Sequence, residues 1–220
     1  MRISFPFRYS FLVLAVAAGI ARPAAAQDRA FVGGMGGVTF NTVSGGIFAG
    51  QGGVHIGGGL FVIGEVGRAQ NVLPKELADQ LDDAAEFIEA QVGLPVNLSL
   101  DVPATYAFGG IRWVAPGERR VRPFVEGGAG MAHLVADIDV SVGGLPVPIG
   151  EIGDLDDLGL TTNEFLLALG GGVNIGLTRA VSLDVGYRYL RVFVEDQDVA
   201  EVPGVNTSAI YAGIKIGFGG

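Results

Sequence analysis

Three features of the sequence predict an all-β fold, an eight-stranded antiparallel up-and-down transmembrane β-barrel with a short helix in one extracellular loop. The first is alternation in residues 180–220. Val181, Leu183, Val185, Tyr187 and Tyr189 share one parity against Ser182, Asp184, Gly186 and Arg188. Ile210, Ala212, Ile214, Ile216 and Phe218 likewise oppose Ala209, Tyr211, Gly213, Lys215 and Gly217. A period of two is the signature of a strand with unlike faces. Charges and glycines on the second face suit a polar lumen with lipid outside. The second feature is the spacing of the runs, with short turns after the second, fourth and sixth and longer connections after the others. The third is an export signal at the start, with no later run long enough for a membrane helix.

Taken in order, residues 1–26 read as a signal peptide: Arg2 and Arg8, an apolar run from Phe11 to Ile20, then Ala24-Ala25-Ala26 before Gln27. Residues 27–220 form one barrel domain. Its first strand is Ala30–Phe40; a polar turn leads to Ile47–Ile56. Gly57-Gly58-Gly59 reverses the chain, because glycine reaches positive φ without penalty. Leu60–Gln70 returns. The insert Asn71–Asn97 holds a helix, with Pro74 at its start and Leu77, Leu81, Ala84, Ile88 and Val92 at helical spacing. Glu76, Asp79, Asp82, Asp83, Glu86 and Glu89 make its wet face, Gly93 and Pro95 end it, and its expected role is to cap the barrel mouth. Leu98–Val114 is a single fourth strand, Pro116–Arg120 a short turn and Val121–Val135 the fifth strand. Asp137–Leu160 is a Gly-, Pro- and Asp-rich connection. Thr161–Leu177, Val181–Phe193 and Ser208–Phe218 complete the eight, the last closing onto the first.

The 37 glycines are more than twice the average share of about 7%. They show no collagen period, and 49% hydrophobic residues exclude disorder. The chain has no cysteine, so stability must come from the fold. The formal charge is −9; removal of Arg2, Arg8 and Arg22 leaves 11 basic against 23 acidic residues, about −12. That balance excludes nucleic acid as a partner.

The segments Asp184-Val-Gly-Tyr-Arg-Tyr189 and Arg122-Pro-Phe-Val-Glu-Gly-Gly-Ala-Gly130, with a phenylalanine near the terminus, resemble small outer-membrane β-barrels of the OmpA transmembrane-domain and OmpX type. The likeness runs from Ala30 onward. It implies a monomeric, porin-like protein of the Gram-negative outer membrane, among outer-membrane lipid and lipopolysaccharide. It also implies the barrel-assembly machinery as the partner for insertion, recognising a terminal phenylalanine. Here Phe218 is followed by Gly219 and Gly220, a departure from that pattern. No peptidoglycan-binding domain follows, so a wall tether is not expected.

With bulky rows facing lipid, the lumen receives Gln51, His55, Glu65, Arg112, Glu126, Asn174, Asp184, Arg188 and Lys215. Isolated buried charges cost several kcal/mol, so Glu65, Arg112, Glu126, Asp184, Arg188 and Lys215 are expected to pair as a network plugging the narrow barrel. Such a plug serves a static polar core or, as the resemblance suggests, a gate for ions. Trp113, Tyr187, Tyr189 and Phe218 are the expected aromatic girdle at the membrane interfaces. The two histidines, His55 and His133, fall on opposite faces, which disfavours a shared metal site, and neither has a serine close in sequence. Residues 154–157 and 195–198 are acidic runs without EF-hand spacing. No metal, cofactor or catalytic residue is expected; the reading is a structural or surface-interaction protein with no ligand named, with a small gated pore for ions or small solutes as the alternative and an outer-membrane lipid-modifying enzyme as a less favoured third.

Overall fold

The computed structural model describes residues 29–40, 43–117, 119–135, 137–146, 161–193 and 204–219. Eight antiparallel strands close a barrel: β1 (Ala30–Phe40), β2 (Gly46–Gly57), β3 (Leu60–Ala69), β5 (Ala104–Val114), β6 (Val121–Val135), β9 (Thr161–Gly176), β10 (Val181–Phe193) and β11 (Val205–Phe218). β1 pairs with β11 from Ala30 opposite Phe218 to Phe40 opposite Ser208, so no edge is left open. Among the described residues the other elements are a helix, α1 (Lys75–Val92), and β4 (Val96–Asp101), β7 (Asp137–Val142) and β8 (Leu145–Pro146).

The parity of each strand decides its faces. On β11, Ile210, Ile214 and Ile216 are exposed while Ala209, Tyr211 and Lys215 are buried. The outer row of β6 is apolar or small from Val121 to Met131. At about 3.3 Å per residue and a tilt near 40°, it spans about 25 Å, the height of a hydrocarbon band. Above it the outer face turns polar: Arg68, Thr105, His133 and Asn163 are successive cross-strand partners on β3, β5, β6 and β9. The short-turn end is set by backbone chemistry, with Gly57, Gly58 and Gly59 all at positive φ in the reversal between β2 and β3.

Two expectations about the inserts are corrected. The run Leu98–Val114 is not one barrel strand. Val102 and Pro103 interrupt it, and β4 leaves the barrel to pair with β7 and, through it, β8. Register is kept across the break: Ala104 faces Leu134 in the barrel and Asp101 faces Asp137 beyond it. The β5–β6 hairpin therefore continues as an arm of six residues, about 20 Å long at the usual rise. The connection Asp137–Leu160 accordingly contains two strands, turned at Gly143 and Gly144 with φ of 61° and 78°; residues 147–160 lie outside the described set.

The helix forms as expected between Pro74 and Gly93, whose φ of 70° ends it with a bond from its N–H to the Glu89 carbonyl. Its inner face is rotated from the expected one: Ala85 is buried, whereas Leu77, Ala84 and Ile88 are exposed. The partner element of α1 is β4, so it braces the arm instead of capping the barrel. The barrel's loop end is sealed by Val72 and Leu73, both buried just before the helix. Asn71 fixes them: its Oδ1 accepts from the N–H groups of Leu73 (2.9 Å) and Val102 (3.2 Å), and its Nδ2 donates to Asp101 (2.6 Å).

Candidate functional site

Inside the barrel the chain builds three storeys. Next to the loops the lumen is apolar, filled by Val72, Ala104, Leu134, Leu166, Leu190, Val192 and their neighbours. This layer was not expected from the sequence, because the inner rows of β9 and β10 switch from polar to apolar only near their loop ends. The middle storey is charged. The third is a vestibule open at the short-turn end.

The charged storey brings together all six residues predicted for it. Arg112 binds Glu126 at 3.1 Å and Asp184 at 2.6 Å. Lys215 binds Asp184 at 2.7 Å, and Arg188 pairs with both Glu65 and Glu126. Three bases meet three acids, so the cluster is formally neutral, and all six side chains are buried. Gln51 completes it: its Nε2 donates to Glu65 (3.0 Å) and Glu126 (3.3 Å), and its Oε1 accepts from Lys215 (2.8 Å) and Arg112 (3.4 Å). Asn174 donates to Asp184 at 2.6 Å. Buried charges are tolerable only with such saturation of donors and acceptors.

Strand register explains how side chains from distant strands meet. Gln51 and Glu65, Arg112 and Glu126, and Asn174 and Asp184 are direct cross-strand partners. Longer links pass over glycines. Gly33 sits between Gln51 on one side and Lys215 on the other, and a Cβ there would lie 2.8 Å from Lys215 Cγ. Gly170 likewise separates Glu126 from Arg188, and its Cβ would come within 3.2 Å of the Glu126 carboxylate. A bare backbone at these two points lets a long cation reach a partner two strands away, Gln51 for Lys215 and Glu126 for Arg188.

Aromatic residues line the cluster, and the sequence reasoning left them out although they share its parity. The Arg112 guanidinium lies 3.6 Å from the Phe124 ring centroid, and Lys215 Nζ lies 4.2 Å from that of Phe31. Tyr106 donates to Glu65 at 3.1 Å and Tyr211 to Glu126 at 3.4 Å.

The expected girdle residues lie on the outer face. Trp113 and Phe218 are exposed towards the short-turn end, and Tyr187 lies higher, against Phe40. Tyr189 is only partly exposed and donates to Asn206 at 2.6 Å. His55 faces inward beside Phe61, whereas His133 is on the outer face, hydrogen-bonded to Asn163 at 2.9 Å. Residues 154–157 and 195–198 lie outside the described set.

No curated protein sequence matches the chain. Among solved structures it is similar to Neisserial surface protein A, at 16% identity over 86% of this chain and 96% of that one, with a TM-score of 0.52. It is also similar to a major outer membrane protein from Thermus thermophilus, at 14% identity over 86% and 99%, with a TM-score of 0.51. At such identities the likeness concerns the fold. The family model described as outer membrane protein beta-barrel domain matches residues 11–218, and the chain belongs to that family.

Proposed function

We propose that this outer-membrane barrel has a structural or surface-interaction role, with its lumen kept closed and its loop end presented to the outside. The observation that carries this reading is the charged storey, in which six ion-paired side chains and Gln51 span the interior under an apolar layer. The braced arm supplies a surface for contact: Phe87 on α1 is 67% exposed and Leu145 beside β8's turn is 72% exposed. Longer connections on one side and short turns on the other set the orientation, loops outward and turns in the periplasm. Lipopolysaccharide would surround the outer half, and the assembly machinery would insert the chain as a monomer.

Single-channel recording in planar bilayers tests the closed lumen. The expected trace shows no frequent large openings; sustained large conductance would overturn the reading. A small gated pore is the second reading, favoured by one observation. Glu126 is shared by Arg112 and Arg188, and Asp184 by Arg112 and Lys215, so alternative pairings exist without stranding a charge. On that reading Lys215→Ala should change the frequency of small openings. His55 and His133 lie on opposite sides of the wall, so no catalytic or metal site uses both.

A further inference from the structure

Below the charged storey, a vestibule of about 960 Å³ opens between the short turns and the end of β11. Its composition runs against that of the chain. The protein carries 23 acidic residues, yet none lines this cavity among the described residues. Arg119, Arg120, Arg122 and Arg179 do line it. Lys215 and Arg112 form its ceiling, already matched by Asp184 and Glu126. The four arginines below have no carboxylate partner among the described residues. Two of them donate to neutral oxygens, Arg120 to the Gly176 carbonyl (3.1 Å) and Arg122 to Asn174 (3.0 Å). Glu118, in the same turn, lies outside the described residues.

His55 lines the same cavity with its ring against Phe61. Four guanidinium groups without a described acid at the mouth of a low-dielectric wall repel one another. One bound anion relieves that repulsion. Guanidinium groups suit phosphate because their planar N–H forks match its oxygens.

We propose that the vestibule binds a phosphate-bearing anion, held by Arg119, Arg120, Arg122 and Arg179 in front of the His55 ring. The proposed orientation opens this mouth to the periplasm, where the phosphate could belong to a soluble molecule or to an inner-leaflet phospholipid headgroup. The binding chemistry is the same for both sources.

The test uses the mature chain, isotope-labelled and refolded into micelles of a maltoside detergent, which carries no phosphate, with NMR signals read at His55, Gly217 and Gly219. In the first arm inorganic phosphate is titrated at ionic strength fixed with sodium chloride. In the second, phosphatidylglycerol is titrated into the micelles and no inorganic phosphate is added. A saturable shift confined to the vestibule is expected in at least one arm, and the responding arm identifies the source. The Arg119→Gln/Arg120→Gln/Arg179→Gln variant should weaken it about tenfold or more, since each charge-assisted contact is worth roughly that factor. Those three side chains are exposed and outside the charged storey. Should the triple variant not refold, Arg179→Gln alone must shift the midpoint in the same direction. Shifts that fail to saturate in both arms, or that persist unchanged in the variants, would overturn the proposal.

Discussion

Arg188 bridges Glu65 and Glu126, so removing it strands the buried Glu65 carboxylate, while Glu126 keeps only Arg112. Breaking a buried pair from one side costs about 3–5 kcal/mol, because the remaining charge keeps its desolvation penalty. Arg188→Met should therefore lower stability by about that amount in urea titrations of protein refolded in lipid vesicles. Arg179→Met, at an exposed position, should stay within about 0.5 kcal/mol. Gly170 offers a subtler case. Its absent Cβ leaves the path by which Arg188 reaches Glu126, and an added methyl would meet the Glu126 side chain at 3.2 Å. Gly170→Ala should cost about 1–3 kcal/mol by crowding, with no charge changed. The six charges of this storey were legible in the sequence because strand parity alone sends them inward. The glycines that must stay bare were not. Their role depends on which residues stand one strand away on either side, and that register is a property of the closed sheet.

The strand pairs show the same division. β6 and β10 match their predicted bounds, since continuous alternation ended by turn residues marks a strand. The arm was hidden because alternation persists through β4 and β5. Only the loss of an N–H at Pro103 and the sealing contacts of Asn71 separate the two. The helix was legible as a helix, but its buried face was not: six of its eighteen residues are acidic and spread around it, and Ala85 is buried where Ile88 is exposed. Asn71→Ala would leave the N–H groups of Leu73 and Val102 without their acceptor, a loss of about 1–3 kcal/mol. It should show as faster proteolysis of the arm with the barrel intact. On the lipid face, Ile214 is 56% exposed in the middle of β11. Ile214→Arg should cost about 2–4 kcal/mol in lipid, and a harmless outcome would mean that this row does not face the mid-bilayer.

Charge is distributed unevenly along the barrel axis. Asp79, Asp82, Asp83, Glu86 and Glu89 on α1, with Asp101 and Asp139 on the arm, make the loop end acidic, while four arginines ring the short-turn mouth. The apolar band between them fixes the molecule in a bilayer but is nearly symmetrical, so it does not choose which end faces out. The connections do: an arm about 20 Å long with its own sheet is accommodated on the open outer side, whereas three tight turns suit the assembly side. The expected topology can be read with one protease. A recognition sequence inserted at Gly143–Gly144 lies in the β7–β8 turn, and the same sequence at Pro116–Gly117 lies at the opposite mouth; both are tight, exposed turns that tolerate insertion. In intact Gram-negative cells, added protease should cut the first protein and spare the second. Permeabilising the envelope should make both susceptible. Cleavage at Pro116–Gly117 alone in intact cells would mean that the arginine mouth faces outward, and the arm could then serve no partner at the cell surface.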